Sequence, residues 1–168
     1  ELAYQLQDSG ATYLICADGS LETGVEAAQI VGLPRDRVFV FDNAIYDGRG
    51  AGRLGCRYWG ELVASVEEGD GFAWEELSTP ELADKNLALN YSSGTTGLPK
   101  AVEISHKNYI ANMLQYVHQA TQNPDYEARN ARGRWLCFLP MYHAMAQNIF
   151  IAAALRRGIP VYIMPKFD

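Results

Sequence analysis

Ten consecutive residues of this 168-residue chain carry its most recognisable chemistry: Tyr91, Ser92, Ser93, Gly94, Thr95, Thr96, Gly97, Leu98, Pro99 and Lys100. Five bear hydroxyls, two are glycines, and the string ends in a single lysine. Gly94 and Gly97 lack Cβ, so the backbone there can turn sharply and come close to a ligand. Successive N–H groups in such a turn form a concavity for an anion. The hydroxyls of Ser92, Ser93, Thr95 and Thr96 add donors, and Lys100 adds a full positive charge. The set suits an anion with many oxygens, such as a polyphosphate, and the oxygens of Thr95 and Thr96 could also meet a magnesium-bound water.

This is not a Walker P-loop, in which a Gly-Lys-Ser/Thr unit opens a helix. Here Lys100 follows Pro99, which has no N–H to donate, and precedes Ala101 and an alternating run. A second candidate is His143, preceded by Pro140, Met141 and Tyr142 at the end of the apolar run 135–139. A histidine alone at such a place reads as a core or helix-capping residue. In open α/β sheets, however, ligands bind beyond the carboxyl ends of strands, so residues 92–100 and 141–143 are expected to meet. The string 42–57 holds Gly48, Gly50, Gly52 and Gly55 among Arg49, Arg53 and Arg57. It reads as a flexible surface loop, because no strand-to-helix context surrounds it.

The elements that must position these residues follow from periodicity. Helices are expected over residues 1–8, 22–31 and 58–66, from Ser105 as N-cap to a stop at Asn123 and Pro124 with Tyr109, Ile110, Met113, Leu114, Tyr116 and Val117 as its stripe, and from Met145 to a cap at Gly158. Ile30 falls in register with Val25, Ala27 and Ala28, and Trp59, Leu62, Val63 and Val66 share one side. Strands are expected at 12–16, 37–41, 87–91, 101–104, 135–139 and 161–164. Residues 67–84 read as an acidic connector anchored by Trp74 and Leu77, and 124–134 as a polar loop. The alternation predicts an α/β fold, a mostly parallel sheet flanked by helices. An upstream segment, residues 1–84, and a phosphate-loop segment, residues 85–168, are expected to belong to one truncated domain.

Composition, at 48% hydrophobic and 20% charged, is that of an ordinary folded domain. Residues 1–90 hold 16 acidic and 6 basic side chains (net −10), and residues 91–168 hold 4 and 8 (net +4). The positive half is the half with the hydroxyl–glycine string, which suits an anionic ligand. The bases are scattered, with no run that suggests nucleic acid. Cys16, Cys56 and Cys137 are isolated; Cys16 and Cys137 read as buried, and an intracellular compartment, cytoplasmic or peroxisomal, is expected. No apolar run approaches the ~20 residues of a membrane span. The chain opens at Glu1 and stops at Asp168 just after an apolar run, so it is expected to be a piece of a longer protein.

Residues 91–100 resemble the signature phosphate loop of the adenylate-forming, acyl-activating superfamily, with Ala101 where that family usually has glycine. Pro140, Met141, Tyr142, His143, Ala144, Met145, Ala146, Gln147 and Asn148 resemble its second motif, in a form closest to the 4-coumarate–CoA ligase group. Met164, Pro165, Lys166, Phe167 and Asp168 resemble the segment that follows there.

The resemblance implies an ATP-dependent acid–CoA ligase using Mg2+ and coenzyme A: a carboxylic acid attacks the α-phosphorus of ATP, and coenzyme A then displaces AMP. It implies that Ser92, Ser93, Gly94, Thr95, Thr96, Gly97 and Lys100 hold the ATP phosphates. It implies that His143 and Lys100 act in catalysis, that Tyr142, His143 and Met145 line the acyl pocket, and that Lys166 touches coenzyme A. The motifs that grip ribose and the C-terminal domain with its adenylation lysine are not in these residues, so the segment is expected to be inactive alone. Another adenylating enzyme, of the peptide-synthetase or luciferase kind, and a noncatalytic nucleotide-binding module remain as other readings.

Overall fold

The run Val38, Phe39, Val40, Phe41 becomes the middle strand of a three-stranded sheet, and its first three residues are fully buried. Such a continuous apolar run is what a strand covered on both faces requires. The computed structural model describes residues 1–47, 49–92 and 97–164. They divide into two compact units, Glu1–Glu75 and Glu76–Asp168.

In the first unit, helix α1 (Leu2–Ser9) precedes strand β1 (Leu14–Ala17), helix α2 (Leu21–Ile30), strand β2 (Val38–Phe41) and strand β3 (Arg57–Tyr58). All three strands run parallel, with Cys16 beside Val40 and Val40 beside Tyr58. One face of the sheet packs Cys16, Val38, Val40, Cys56 and Tyr58 against Leu21 and Ala28 of α2. On the other face the Arg57 guanidinium lies 5.0 Å from the Phe39 ring centre. All three cysteines are buried and free.

Several expectations fail here for physical reasons. Residues 58–66 do not form one helix: a 3-10 turn, Trp59–Leu62, is followed by a separate helix α3 (Val66–Asp70). The Glu61 carboxylate accepts the Tyr58 N–H at 3.0 Å and the Arg57 Nε–H at 2.9 Å, which closes the first turn. That backbone hydrogen bond, with Arg57 second, holds the Glu61 carboxyl below its ordinary range. Ser65 then starts α3 with its own capping box to Glu68. Leu62, Val63 and Val66 are consequently exposed. Ile30 is exposed despite its register, because α2 buries Leu21, Gly24, Ala27 and Ala28 instead. Trp74 is no anchor: it is 83% exposed and meets the Phe72 ring edge-on at 5.0 Å.

In the second unit, a short helix α4 (Pro80–Ala83), capped by Thr79, leads into a hairpin of strands β4 (Asn86–Ser92) and β5 (Lys100–Ser105). The pair is antiparallel, while β6 (Trp135–Cys137) and β7 (Val161–Ile163) pair in parallel. Ser105 caps helix α5 (His106–Thr121) by accepting the Asn108 N–H at 3.2 Å. The half-buried stripe of α5 is Tyr109, Met113, Tyr116 and Val117, whereas Ile110 and Leu114, expected on it, are exposed.

Residues 124–134, expected to be a loop, contain helix α6 (Tyr126–Arg132). It docks through a cation over an aromatic ring rather than an apolar stripe, with Arg157 5.2 Å from the Tyr126 ring centre. The helix expected after His143 is interrupted: α7 (Ala144–Ala146) and α8 (Ala154–Arg157) flank a π-helical segment, Gln147–Ala153. The Tyr109 hydroxyl donates to the Gln147 carbonyl at 2.7 Å, a side-chain insertion of the kind that distorts the helical ladder. Among the described residues no helix is long and apolar enough to cross a membrane.

A Cβ at Gly24 would overlap Cys16 Sγ. Gly24→Ala should therefore destabilise the first unit by about 1–3 kcal/mol, as overpacking does. Hydrogen exchange in β1 and β2 would report the loss, and adding Cys16→Ala should restore most of the protection. Unchanged exchange in the single variant would contradict this packing.

Candidate functional site

The β4–β5 hairpin presents the hydroxyl–glycine string. Ser92 ends β4 directly opposite Lys100 at the start of β5. Gly97, with φ 125°, adopts a backbone conformation that side-chain-bearing residues rarely take. Lys100 is exposed. Ser93, Gly94, Thr95 and Thr96 lie outside the described residues, as does Lys166, so their expected contacts with phosphate, magnesium and coenzyme A are not among the described geometry.

His143 sits in the turn after β6. Its N–H donates to the Pro140 carbonyl at 2.9 Å, and its own carbonyl accepts the Gln147 N–H at 3.0 Å. Its Nδ1 accepts the Met145 N–H at 3.2 Å, so His143 is a helix cap after all. Accepting at Nδ1 places the proton of the neutral ring on Nε2. Capping therefore does not exclude a functional role: it orients the ring and leaves Nε2 without a partner among the described residues.

Ser92, Tyr142 and His143 come together. They line one cavity of about 430 Å³ with Tyr91, Val102 and Ile104, within the size range of small-molecule sites. One wall is thus the hairpin and the other is the turn after β6, as expected from the strand ends. Gly97 and Lys100 do not line this cavity, and neither does Met145. Met145 lines a neighbouring hollow of about 470 Å³ between α5 and the π segment, with Tyr116 and Asn148. Ala144 borders both hollows.

The residue that sequence reasoning missed is Gln147. Its Oε1 accepts the Asn90 Nδ2–H at 3.1 Å, and its Nε2 donates to the Tyr142 carbonyl at 3.2 Å. It thereby ties β4 to the turn that carries His143. The available signal was a pair of carboxamides, Gln147 and Asn148, inside an otherwise apolar helical run. Tyr109, bonded to the Gln147 carbonyl, has its phenol pKa raised by burial.

The chain belongs to the AMP-binding enzyme family, whose model matches residues 1–168. It is 38% identical over 115 residues to a 4-coumarate–CoA ligase of Arabidopsis thaliana, covering 68% of this chain and 19% of that protein. It is 31% identical over 169 residues to a phenylacetyl-CoA ligase of Aspergillus niger, covering 100% of this chain and 29% of that protein. Among solved structures, ATP-bound MatB from Rhodopseudomonas palustris matches 100% of this chain and 28% of its own, with a TM-score of 0.63 and 26% identity. A red-emitting luciferase from Phrixothrix hirtus shares the fold, with a TM-score of 0.72 at 19% identity, covering 99% of this chain and 29% of its own. The chain thus spans less than a third of the length of each of these relatives.

Gln147→Leu keeps the size of the side chain and removes both hydrogen bonds, each worth about 1 kcal/mol net. The Met145 amide should exchange several-fold faster, with β2 unaffected. Unchanged exchange at Met145 would show that the turn is held by other contacts.

Proposed function

We propose that the whole protein is an ATP-dependent acid–CoA ligase, with this segment forming the phosphate and carboxylate side of its active site. The observation that carries this reading is the shared cavity: Ser92, at the mouth of the hydroxyl–glycine loop, and His143 line the same space. Family membership and the similarity to CoA ligases support it.

In this reading Ser92, Ser93, Gly94, Thr95, Thr96, Gly97 and Lys100 hold the ATP phosphates and the departing pyrophosphate. Lys100 acts as an exposed cation that reaches phosphate charge as it develops, and the loop amides and hydroxyls position the rest. Mg2+, when bound with ATP, supplies further neutralisation of phosphate charge beside Thr95 and Thr96. His143 donates from Nε2 to the acid's carboxylate and so orients it toward the α-phosphorus, while its Nδ1 stays committed to the Met145 N–H. Tyr142 lies at the acyl end of the same cavity, Met145 lines the adjoining hollow, and Lys166 meets coenzyme A.

In the full-length protein, Lys100→Ala should slow ATP–pyrophosphate exchange by about 10²–10³, the range for loss of one preorganised charge-stabilising group. His143→Ala should lower the rate of adenylate formation more than ATP affinity. Unchanged exchange in Lys100→Ala would remove its phosphate role, and a pure ATP-affinity defect in His143→Ala would remove the carboxylate role. The 168 residues alone should form no thioester from ATP, acid and coenzyme A. Activity there would refute the assignment of the segment as a portion of a larger site.

A further inference from the structure

A second hollow in the Glu76–Asp168 unit has a different chemistry from the His143 cavity. It encloses about 390 Å³ between the end of α5, α6 and the starts of β6 and β7. It therefore lies at the opposite end of β6 from His143. Its walls include Tyr116, Gln119, Tyr126 and Trp135, and its charged groups are Arg129 and Arg157, with no carboxylate among the described residues that line it.

Arg157 is held in place before any ligand arrives. Its guanidinium lies 5.2 Å from the Tyr126 ring centre and 5.1 Å from that of Trp135. Its Nε donates to Asn130 Oδ1 at 2.9 Å, and Asn130 Nδ2 donates back to the Arg157 carbonyl at 3.0 Å. Its two terminal nitrogens have no acceptor among the described residues, and neither does the Arg129 guanidinium. A guanidinium fork with free N–H groups is matched by a carboxylate, sulfonate or phosphate. Two such cations facing one hollow without a counter-charge favour an anion there. The volume is that of a small-molecule site, larger than a bare oxyanion fills, and the other walls hold three aromatic rings, Tyr116, Tyr126 and Trp135, beside the carboxamides Gln119 and Asn123.

We propose that this hollow is a second binding site, separate from the His143 cavity, for a small organic anion: an oxyanion group on a ring-sized body. The oxyanion meets the terminal nitrogens of Arg157 and the guanidinium of Arg129, and the body lies against Tyr116 and the edge of Trp135. The site needs no step of the proposed ligase reaction.

Phenyl phosphate is the probe, titrated calorimetrically into the full-length protein at low salt with saturating ATP present. One saturable event is expected. It should persist in His143→Ala, weaken at least tenfold in Arg129→Gln and Arg157→Gln, and be at least tenfold tighter than that of inorganic phosphate. Arg129→Gln is the decisive variant, because that guanidinium bonds nothing among the described residues and its loss leaves the hollow intact. Absence of saturable binding, full affinity in Arg129→Gln, or loss of binding in His143→Ala would overturn the proposal. Equal affinity for inorganic phosphate would overturn the assignment of an organic body.

Discussion

One carboxamide beside the candidate site serves two partners. Gln147 accepts from Asn90 on the strand that leads into the hydroxyl–glycine string, and donates to the Tyr142 carbonyl in the turn that carries His143. An amide can do both because its oxygen and nitrogen are fixed in opposite roles. A carboxylate could not donate, and an apolar side chain could do neither. The backbone of Gln147 is used as well: its N–H bonds the His143 carbonyl and its own carbonyl accepts the Tyr109 hydroxyl. Hairpin, turn and α5 are thereby registered against one residue, and the space between hairpin and turn becomes the cavity.

The same residue opens the π-helical segment. A π turn places an extra residue in the helix and is commonly found where function overrides regular geometry. Here the distortion coincides with the Tyr109 hydroxyl entering the ladder. The two nitrogens of the His143 ring also differ, since Nδ1 accepts the Met145 N–H and Nε2 has no partner among the described residues.

Much of the fold was legible in the sequence because it is local. Ser105 followed by Asn108 specifies a helix start, and Gly158, at φ 63°, specifies a helix end. The continuous apolar run 38–40 announces a strand covered on both faces. The α6 helix was not legible, because its contacts are Tyr126 and Asn130 meeting Arg157, 27 residues on from Asn130. The broken segment 58–70 was not legible either, since its apolar spacing suited one helix while two acidic caps divided it. Periodicity counts apolar residues and is blind to a glutamate that bonds back to the backbone.

By itself the sequence determined which donors are on offer: hydroxyls, glycines and a lysine between two strands, and a histidine after a strand end. It could do so because donor type and chain flexibility are properties of residues taken in order. Only the tertiary structure decided which of them share a space. Ser92 and His143 meet, Met145 turns into the next hollow, and Gln147 holds the walls together. Those outcomes depend on hydrogen bonds between residues as far as 57 positions apart, which no spacing along the chain encodes.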